Sequence, residues 1–234
     1  MSGMQHSSGA LLVNGVELQG DVTGALVWPA RRLAVVADLH FEKATAFARR
    51  GQFLPPYDTA ATLDKLEDVI IRHRVERVIC LGDSFHDGEA AERVDPVQAA
   101  RLQALIARIE WTWIAGNHDP APPDDWGGRV LEEVTEGALT FRHEAEADAH
   151  GGPHVFGEVS GHFHPKAAVT VRGKRITAPC FVTDGRRLIL PAFGAFTGGL
   201  HVLDPAISGL FRRGFQATLL GRNGLFAFPR RALV

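Results

Sequence analysis

"RLAVVADLH", Arg32 to His40, is the stretch whose reading decides the fold. Leu33 to Ala37 are all apolar, and Asp38 and His40 follow at once. A strand with one wet face alternates apolar and polar residues; an unbroken apolar run reads as a strand covered on both faces. The same form recurs in "RVICLGDSFH" (Arg77 to His86), "WTWIAGNHD" (Trp111 to Asp119) and "GEVSGHFHP" (Gly157 to Pro165). Each time an apolar run ends on Asp, His or Asn, and in three of the four a glycine stands beside them.

Working outward from these runs, Ala61, Leu63, Leu66, Val69 and Ile70 recur at helical spacing and predict a helix from about Asp58 to His73. A second helix is expected from Pro96, with proline in its first turn, to about Ile109. The first half therefore reads β-α-β-α-β, a sheet packed with helices. Ahead of it, "ALLVNGVELQGDVTGALVWPA" predicts short strands with turns at Asn14-Gly15, around Gly20-Asp21 and at Pro29. The second half is strand-rich: "ALTFRH", "HVFGEVSGH", "AAVTVRG", "RITAPCFVTD", "RRLILPAF" and "GGLHVLD". Two facing sheets are expected, with helices outside at least the first, in one domain spanning 1–234. "HDPAPPDDWGG" and "HEAEADAHGGPH" read as surface loops.

Bulk composition excludes rather than selects. With 45% apolar and 22% charged residues, the 234-residue chain can bury a core without disulfides or a structural metal. A net charge of −2 announces neither nucleic acid nor membrane, although a metal site can supply positive charge locally. The arginine pairs Arg31-Arg32, Arg49-Arg50, Arg186-Arg187, Arg212-Arg213 and Arg230-Arg231 read as solvated surface, one or two of them near a site being available as contacts. Cys80 and Cys180 lie in separate apolar runs and read as buried free thiols in a reducing cytosol. "MSGMQHSSGA" has no apolar signal-peptide core and no run approaches a membrane span, so a cytoplasmic protein without membrane attachment is expected.

Chemistry concentrates at the strand ends, the edge of such sheets where ligands bind. "VVADLH" delivers Asp38 and His40, and "VSGHFH" delivers His162 and His164; in extended backbone, residues two apart point the same way. "CLGDSFH" delivers Asp83 with His86 three residues on, and "IAGNHDP" delivers Asn117, His118 and Asp119. Taken singly, each is a turn-former or a surface group. Together they gather six of the eleven histidines, His143 included, into a set of oxygen and imidazole donors that suits divalent transition metals.

The ordered series D-x-H, G-D-x-x-H, G-N-H-D, a lone H and G-H-x-H, running from residue 38 to 164, resembles the calcineurin-like metallophosphoesterases. That resemblance implies an α/β fold, a four-layer α/β/β/α sandwich of two mixed β-sheets flanked by helices. It also implies two divalent metal ions, Mn2+ by expectation, with Fe, Zn or Co as alternatives. Carried across, Asp38, His40 and His164 bind the first metal, Asn117, His143 and His162 the second, and Asp83 bridges. A hydroxide between the metals is then the nucleophile, His118 stabilises the transition state and protonates the leaving group, and Asp119 orients His118. His150 and His154 compete with His143 for the lone position; His143 ends a strand and so is better held. His86 is expected behind the ligands or facing substrate, and His6, His73 and His201 have no motif around them.

"ADLHFEKA" and "LPAFGAFTGG" (Leu190 to Gly199) extend the resemblance to the ligase-associated DNA damage response endonuclease group, PdeM; alone, the second reads as a glycine-rich turn between strands. The group implies a phosphodiesterase or endonuclease acting on DNA or RNA during bacterial DNA repair. Its partners would be an ATP-dependent DNA ligase, a helicase and an exonuclease. Two other readings stand beside this one. A phosphatase or phosphodiesterase for small molecules such as nucleotides is favoured by the lack of a basic stripe. A non-catalytic scaffold of the same fold is opposed by His118 and the full donor set. Oligomeric state is not legible.

Overall fold

The computed structural model describes residues 6–7, 9–118, 126–146, 156–212 and 214–234. The chain opens with β1 (His6–Ser7), β2 (Ala10–Val13), β3 (Val16–Gly20) and β4 (Leu26–Trp28). Asn14 and Gly15, at φ +48° and +80°, turn β2 into β3, the paired left-handed geometry that suits a two-residue hairpin. The opening apolar run is β5 (Leu33–Ala37). Then come α1 (Lys43–Ala48), α2 (Asp58–His73), β6 (Arg77–Leu81), α3 (Ala90–Arg93), α4 (Pro96–Ile106) and β7 (Glu110–Ile114). The longer helices are the two that the sequence predicts, α4 stopping at Ile106 short of the expected Ile109. Asp95 caps α4 by accepting from the Val97 N–H at 2.9 Å.

The rest is mostly strand. β8 (Arg129–Leu131), β9 (Glu133–Glu136), β10 (Leu139–Arg142), β11 (Gly157–Ser160), β12 (Lys166–Val171), β13 (Lys174–Thr183) and β14 (Arg187–Ile189) lead to the short α5 (Pro205–Ser208). β15 (Gln216–Gly221) and β16 (Gly224–Pro229) close the chain as a hairpin absent from the sequence reading. One sheet runs β2-β3-β4-β5-β6-β7-β8, parallel from β5 onward. The other runs β1-β16-β15-β13-β14-β11-β10-β9, with β12 on β13 and β10, β11 and β14 mutually parallel. Both sheets are mixed.

Layering explains the unbroken apolar runs. Leu33, Val35 and Ala37 of β5 and Ile79 and Leu81 of β6 face Phe141, Val159, Phe181 and Leu188 of the other sheet. Their alternates Ala34, Val36, Val78 and Cys80 face Leu63, Leu66 and Val69 of α2 and Leu102 of α4. The far side of the second sheet, with Cys180, Val182, Ile189 and Ala217, is covered by Ile207, Leu210 and Phe211. The order is α/β/β/α, and its last layer is thin because α5 has only four residues. Cys80 and Cys180 are both buried and form no disulfide. Among the described residues no helix is long and apolar enough to cross a membrane.

Two expectations are corrected. "GGLHVLD" is not a strand: His201 makes one isolated bridge to Lys166, and Asp204 then caps α5 through the Ala206 N–H at 2.9 Å. Arg187 is not solvated surface. It is buried, its guanidinium donating to the Glu158 carboxylate and to the backbone oxygens of Leu210 and Glu146. A buried guanidinium is tolerable only when its donors are met, as here.

Buried Asp21 accepts from Arg72 Nη1 at 2.7 Å, Thr23 Oγ1 at 2.6 Å and the Thr23 N–H at 2.9 Å, with His73 Nε2 2.9 Å away. Burial alone would raise this carboxyl; the Arg72, Thr23 and His73 contacts overcome it and hold it well below the usual range. A folded-state value below the unfolded one gives stability that is present above about pH 4 and lost as pH falls toward the folded value. Asp21→Asn should therefore cost about 1–3 kcal/mol near neutrality, with the gap narrowing in acid. Urea midpoints at pH 7 and pH 3 measure it; an equal gap at both would refute the linkage.

Candidate metal centre

The strand ends do not deliver their side chains as extended chain would. Asp38 (φ +53°), His40 (+45°), Asp83 (+45°), His162 (+70°) and His164 (+46°) all take left-handed backbone, so the expectation that pairs two apart converge through extended pleating is corrected. β5 and β11 stop at Ala37 and Ser160, and the chain curls beyond them, alternate residues turning inward. Such conformations cost a non-glycine residue on the order of 1 kcal/mol or more each and persist where neighbours fix them. Here the fixing is visible. The His40 N–H donates to Asp83 O (2.9 Å), Phe41 N–H to Ser84 O (2.8 Å) and His86 N–H to Phe41 O (3.0 Å). The His162 N–H reaches both Asp38 carboxylate oxygens, at 3.0 and 3.2 Å.

Six of the expected ligands come together in two groups. In the first, Asp38, His40 and His164 each offer a donor atom, all within 4.8 Å of one another. His40 Nε2 lies 3.3 Å from His164 Nε2, which is 3.5 Å from Asp38 Oδ1. In the second, Asp83, His143 and His162 meet the same limit. There His143 Nε2 is 3.1 Å from His162 Nδ1 and 3.6 Å from Asp83 Oδ1, and His143 Nδ1 sits 2.9 Å from Leu81 O, which fixes the ring. The groups abut: Asp83 Oδ2 is 4.0 Å from His40 Nε2, and Asp38 Oδ1 is 3.9 Å from His143 Nδ1.

Asn117 and His118 are exposed on the turn after β7, and the His118 N–H donates to Asp83 Oδ1 at 2.9 Å. The His118 side chain, half exposed, has Nε2 4.0 Å from Asp83 Oδ2. His86 stacks on it, ring centroids 5.7 Å apart and planes 15° apart, so His86 stands beside the groups rather than in them. Asp119, His150 and His154 lie outside the described residues. Glu144, which sequence reading passed over, brings Oε1 to 3.6 Å from His162 Nε2; its only signal was adjacency to His143.

Glycines make the close approach feasible. A Cβ on Gly82 would overlap the His143 ring, and one on Gly161 would sit 2.8 Å from Asp38 Oδ2. "LPAFGAFTGG" is not a turn between strands, which corrects that reading. It crosses from β14 to the end of β5, where Phe193 N–H donates to Ala37 O (2.8 Å) and Gly194 N–H to Asp38 O (3.2 Å). Cβ atoms on Gly194 and Gly199 would collide with the carbonyls of Leu39 and His164. The segment thus backs two turns of the first group. Gly82→Ala should displace His143 and weaken cation binding at the second group by about 10–100-fold, the cost typical of losing a ligand's support; calorimetric titration with Mn2+ reads it, and unaltered affinity would contradict the crowding.

The donors fit a cation. Asp38 and Asp83 are buried carboxylates that, among the described residues, form ion pairs only with histidines. Burying carboxylates away from water is costly unless positive charge joins them. Burial first, then His164 and Lys43, push His40 down to about 2, so its ring is neutral, the form that ligates metal. Two sets of one carboxylate and two imidazoles match divalent transition ions and do not single one out.

A family model for calcineurin-like phosphoesterases matches residues 31–176. The structure of a Pseudomonas putida nuclease, MPE, superposes with a TM-score of 0.71 at 29% identity, covering 96% of this chain and 100% of that one. An Escherichia coli phosphoesterase, Yfce, aligns at 13% identity with a TM-score of 0.37, over 81% of this chain and 88% of that one. No curated protein sequence matches.

Proposed function

The chain belongs to the calcineurin-like phosphoesterase family, and on that premise we propose that this metal-dependent phosphoesterase is a two-metal phosphodiesterase that cleaves nucleic acid. The observation that carries the reading is the pair of abutting Asp-His-His groups with an exposed histidine, His118, beside the carboxylate where they meet. When bound, a pair of divalent ions supplies Lewis acidity, positive charge for an anionic phosphate, and water with its pKa lowered toward ~7.

The chain's own residues do the remainder. Asp38, His40 and His164 would hold one ion; His143 and His162, with Asn117 from the adjoining turn, would hold the other. Asp83, 4.0 Å or less from a ring of each group, would be shared. His118 belongs to neither group but borders both, its ring edge-on to His40 with centroids 5.4 Å apart, half exposed and anchored through its N–H. In this reading its ring stabilises charge on phosphorus-bound oxygen and gives a proton to the departing alkoxide. Asp119, next in sequence, is the proposed partner of that ring.

Cleavage of nucleic acid, rather than of small esters, is supported by the likeness to a protein described as a nuclease. A repair role in the cytoplasm beside an ATP-dependent ligase, helicase and exonuclease rests on the resemblance of "ADLHFEKA" and "LPAFGAFTGG", and two buried cysteines outside any disulfide fit such a reducing compartment. Mn2+ is the proposed metal. The test is a turnover panel with Mn2+: a chromogenic phosphodiester, a phosphomonoester, and single- and double-stranded DNA and RNA. Hydrolysis of diester and polymer, abolished by chelation and restored by metal, is expected. Hydrolysis of small esters alone would overturn the nucleic-acid reading.

A further inference from the structure

Aromatic rings in this protein are mostly deep: Phe41, Phe85, Phe141, Phe181 and Phe193 are fully buried. Phe53, Tyr57 and Phe196 depart from that rule, with 87%, 57% and 42% of their surface exposed. Tyr57 and Phe196 come from distant parts of the chain and still meet edge to face, centroids 5.9 Å apart. Phe53 lies four residues before Tyr57 in the same connection.

The place of this patch is fixed by backbone. Phe196 lies between Gly194, which packs on the Asp38–Leu39 turn, and Gly199, which packs on His164 O. Tyr57 precedes Asp58, whose carboxylate accepts the Ala44 N–H at 2.9 Å and so ties the start of α2 to α1, next to Lys43. Both aromatic segments therefore border the Asp38-His40-His164 group. Two lysines border it as well. The stem of Lys166, two residues past His164, runs over Gly199, and Lys43 opens α1 three residues past His40. Asp58 is the nearby acid; among the described residues neither lysine forms an ion pair within 4.0 Å.

Ammonium groups beside a phosphoester site, followed by stackable rings, match the repeat of a nucleotide: phosphate, then base. Resting on the phosphodiesterase reading above, we propose that Lys43 and Lys166 hold the phosphate next to the scissile one, and that Tyr57 and Phe196 stack its base. The site thereby extends to a flanking nucleotide that must present its base unpaired. A small ester reaches the two metal groups and nothing more. A polymer gains contacts along the rim, which offsets the net charge of −2 that the chain carries.

The experiment uses the Mn2+-loaded full chain, a set of single-stranded oligonucleotides with one abasic position moved along the strand, and the chromogenic diester as internal reference. For the unaltered protein, kcat/KM relative to the diester should drop about 5–150-fold when the abasic position falls at one particular step from the cut, the worth of one stacked base. In Tyr57→Ala/Phe196→Ala the intact oligonucleotide should already be slow and the abasic penalty should vanish. In Lys43→Gln/Lys166→Gln the dependence of log(kcat/KM) on log salt should flatten by about 0.7–1.4. The exposed Phe156, at the far end of β11, provides a control: Phe156→Ala should keep the abasic penalty. An unaltered protein indifferent to abasic positions, or an abasic penalty that survives in the double-alanine variant, overturns the inference. Hydrolysis of the small diester without any oligonucleotide overturns it too, while leaving phosphodiester chemistry intact; hydrolysis of neither removes both.

Discussion

Asp83→Ala is expected to lower phosphoester hydrolysis by at least about 10³-fold and to leave the protein with less than its full complement of metal. The reason is position. One oxygen of Asp83 lies 3.6 Å from His143 of the second group; the other lies 4.0 Å from His40 of the first and 4.0 Å from His118. Its Oδ1 also accepts the His118 N–H. The substitution would thus remove the proposed shared ligand, one of the two carboxylates of the donor groups, and the anchor of the turn that carries His118. Asp83→Asn separates these effects, because an amide oxygen still accepts the His118 N–H while the charge is gone. If charge and ligation dominate, Asn should be nearly as damaging as Ala; if the turn dominates, Asn should recover most of the activity. Turnover together with metal content by atomic emission decides between them. Full activity with two equivalents of metal in Asp83→Ala would remove Asp83 from the centre of the site.

What could be read in the sequence follows from where local chemistry and tertiary structure agree. β5, β6 and β7 were legible because burial on both faces leaves an unmistakable apolar run. α2 was legible from Asp58 to His73 because one face meets a sheet and the other meets water. The C-terminal hairpin and β8 were not: Val130 and Leu131 are exposed, so their strand is specified by pairing with β7 rather than by patterning. Arg187 misled because nothing local distinguishes a buried arginine from a solvated one; its partners Glu146, Glu158 and Leu210 come from elsewhere in the chain. At the site, residue identities were readable but backbone was not. The left-handed turns at Asp38, His40, His162 and His164 are imposed by contacts between strand ends, and only Gly82, Gly161, Gly194 and Gly199 hinted at how closely those ends approach. The flanking lysines and aromatics were invisible for the same reason: Lys43 and Lys166 are 123 residues apart and border one donor group only through the fold.

His118→Ala should cut kcat on nucleic acid by about 10²–10⁴-fold, the range for a positioned proton donor, while both cations stay bound. Retention of metal is expected because the ring is not a member of either donor group and because the backbone N–H that anchors the turn on Asp83 survives the substitution. A sharper signature comes from the leaving group. A sugar alkoxide is a poor leaving group and needs a proton as the ester bond breaks; a nitrophenolate departs largely without one. If His118 supplies that proton, its loss should be severe on polymer and slight on the chromogenic diester, and the ratio of the two losses should exceed about tenfold. His86, stacked on the same ring at 5.7 Å, offers a comparison. Removing it should loosen His118 without deleting the donor, so His86→Ala should fall between the two in effect. Equal losses on both substrates would mean that His118 acts on the phosphate oxygens and not on the departing group. Loss of metal in step with activity would instead make it part of the cation cradle.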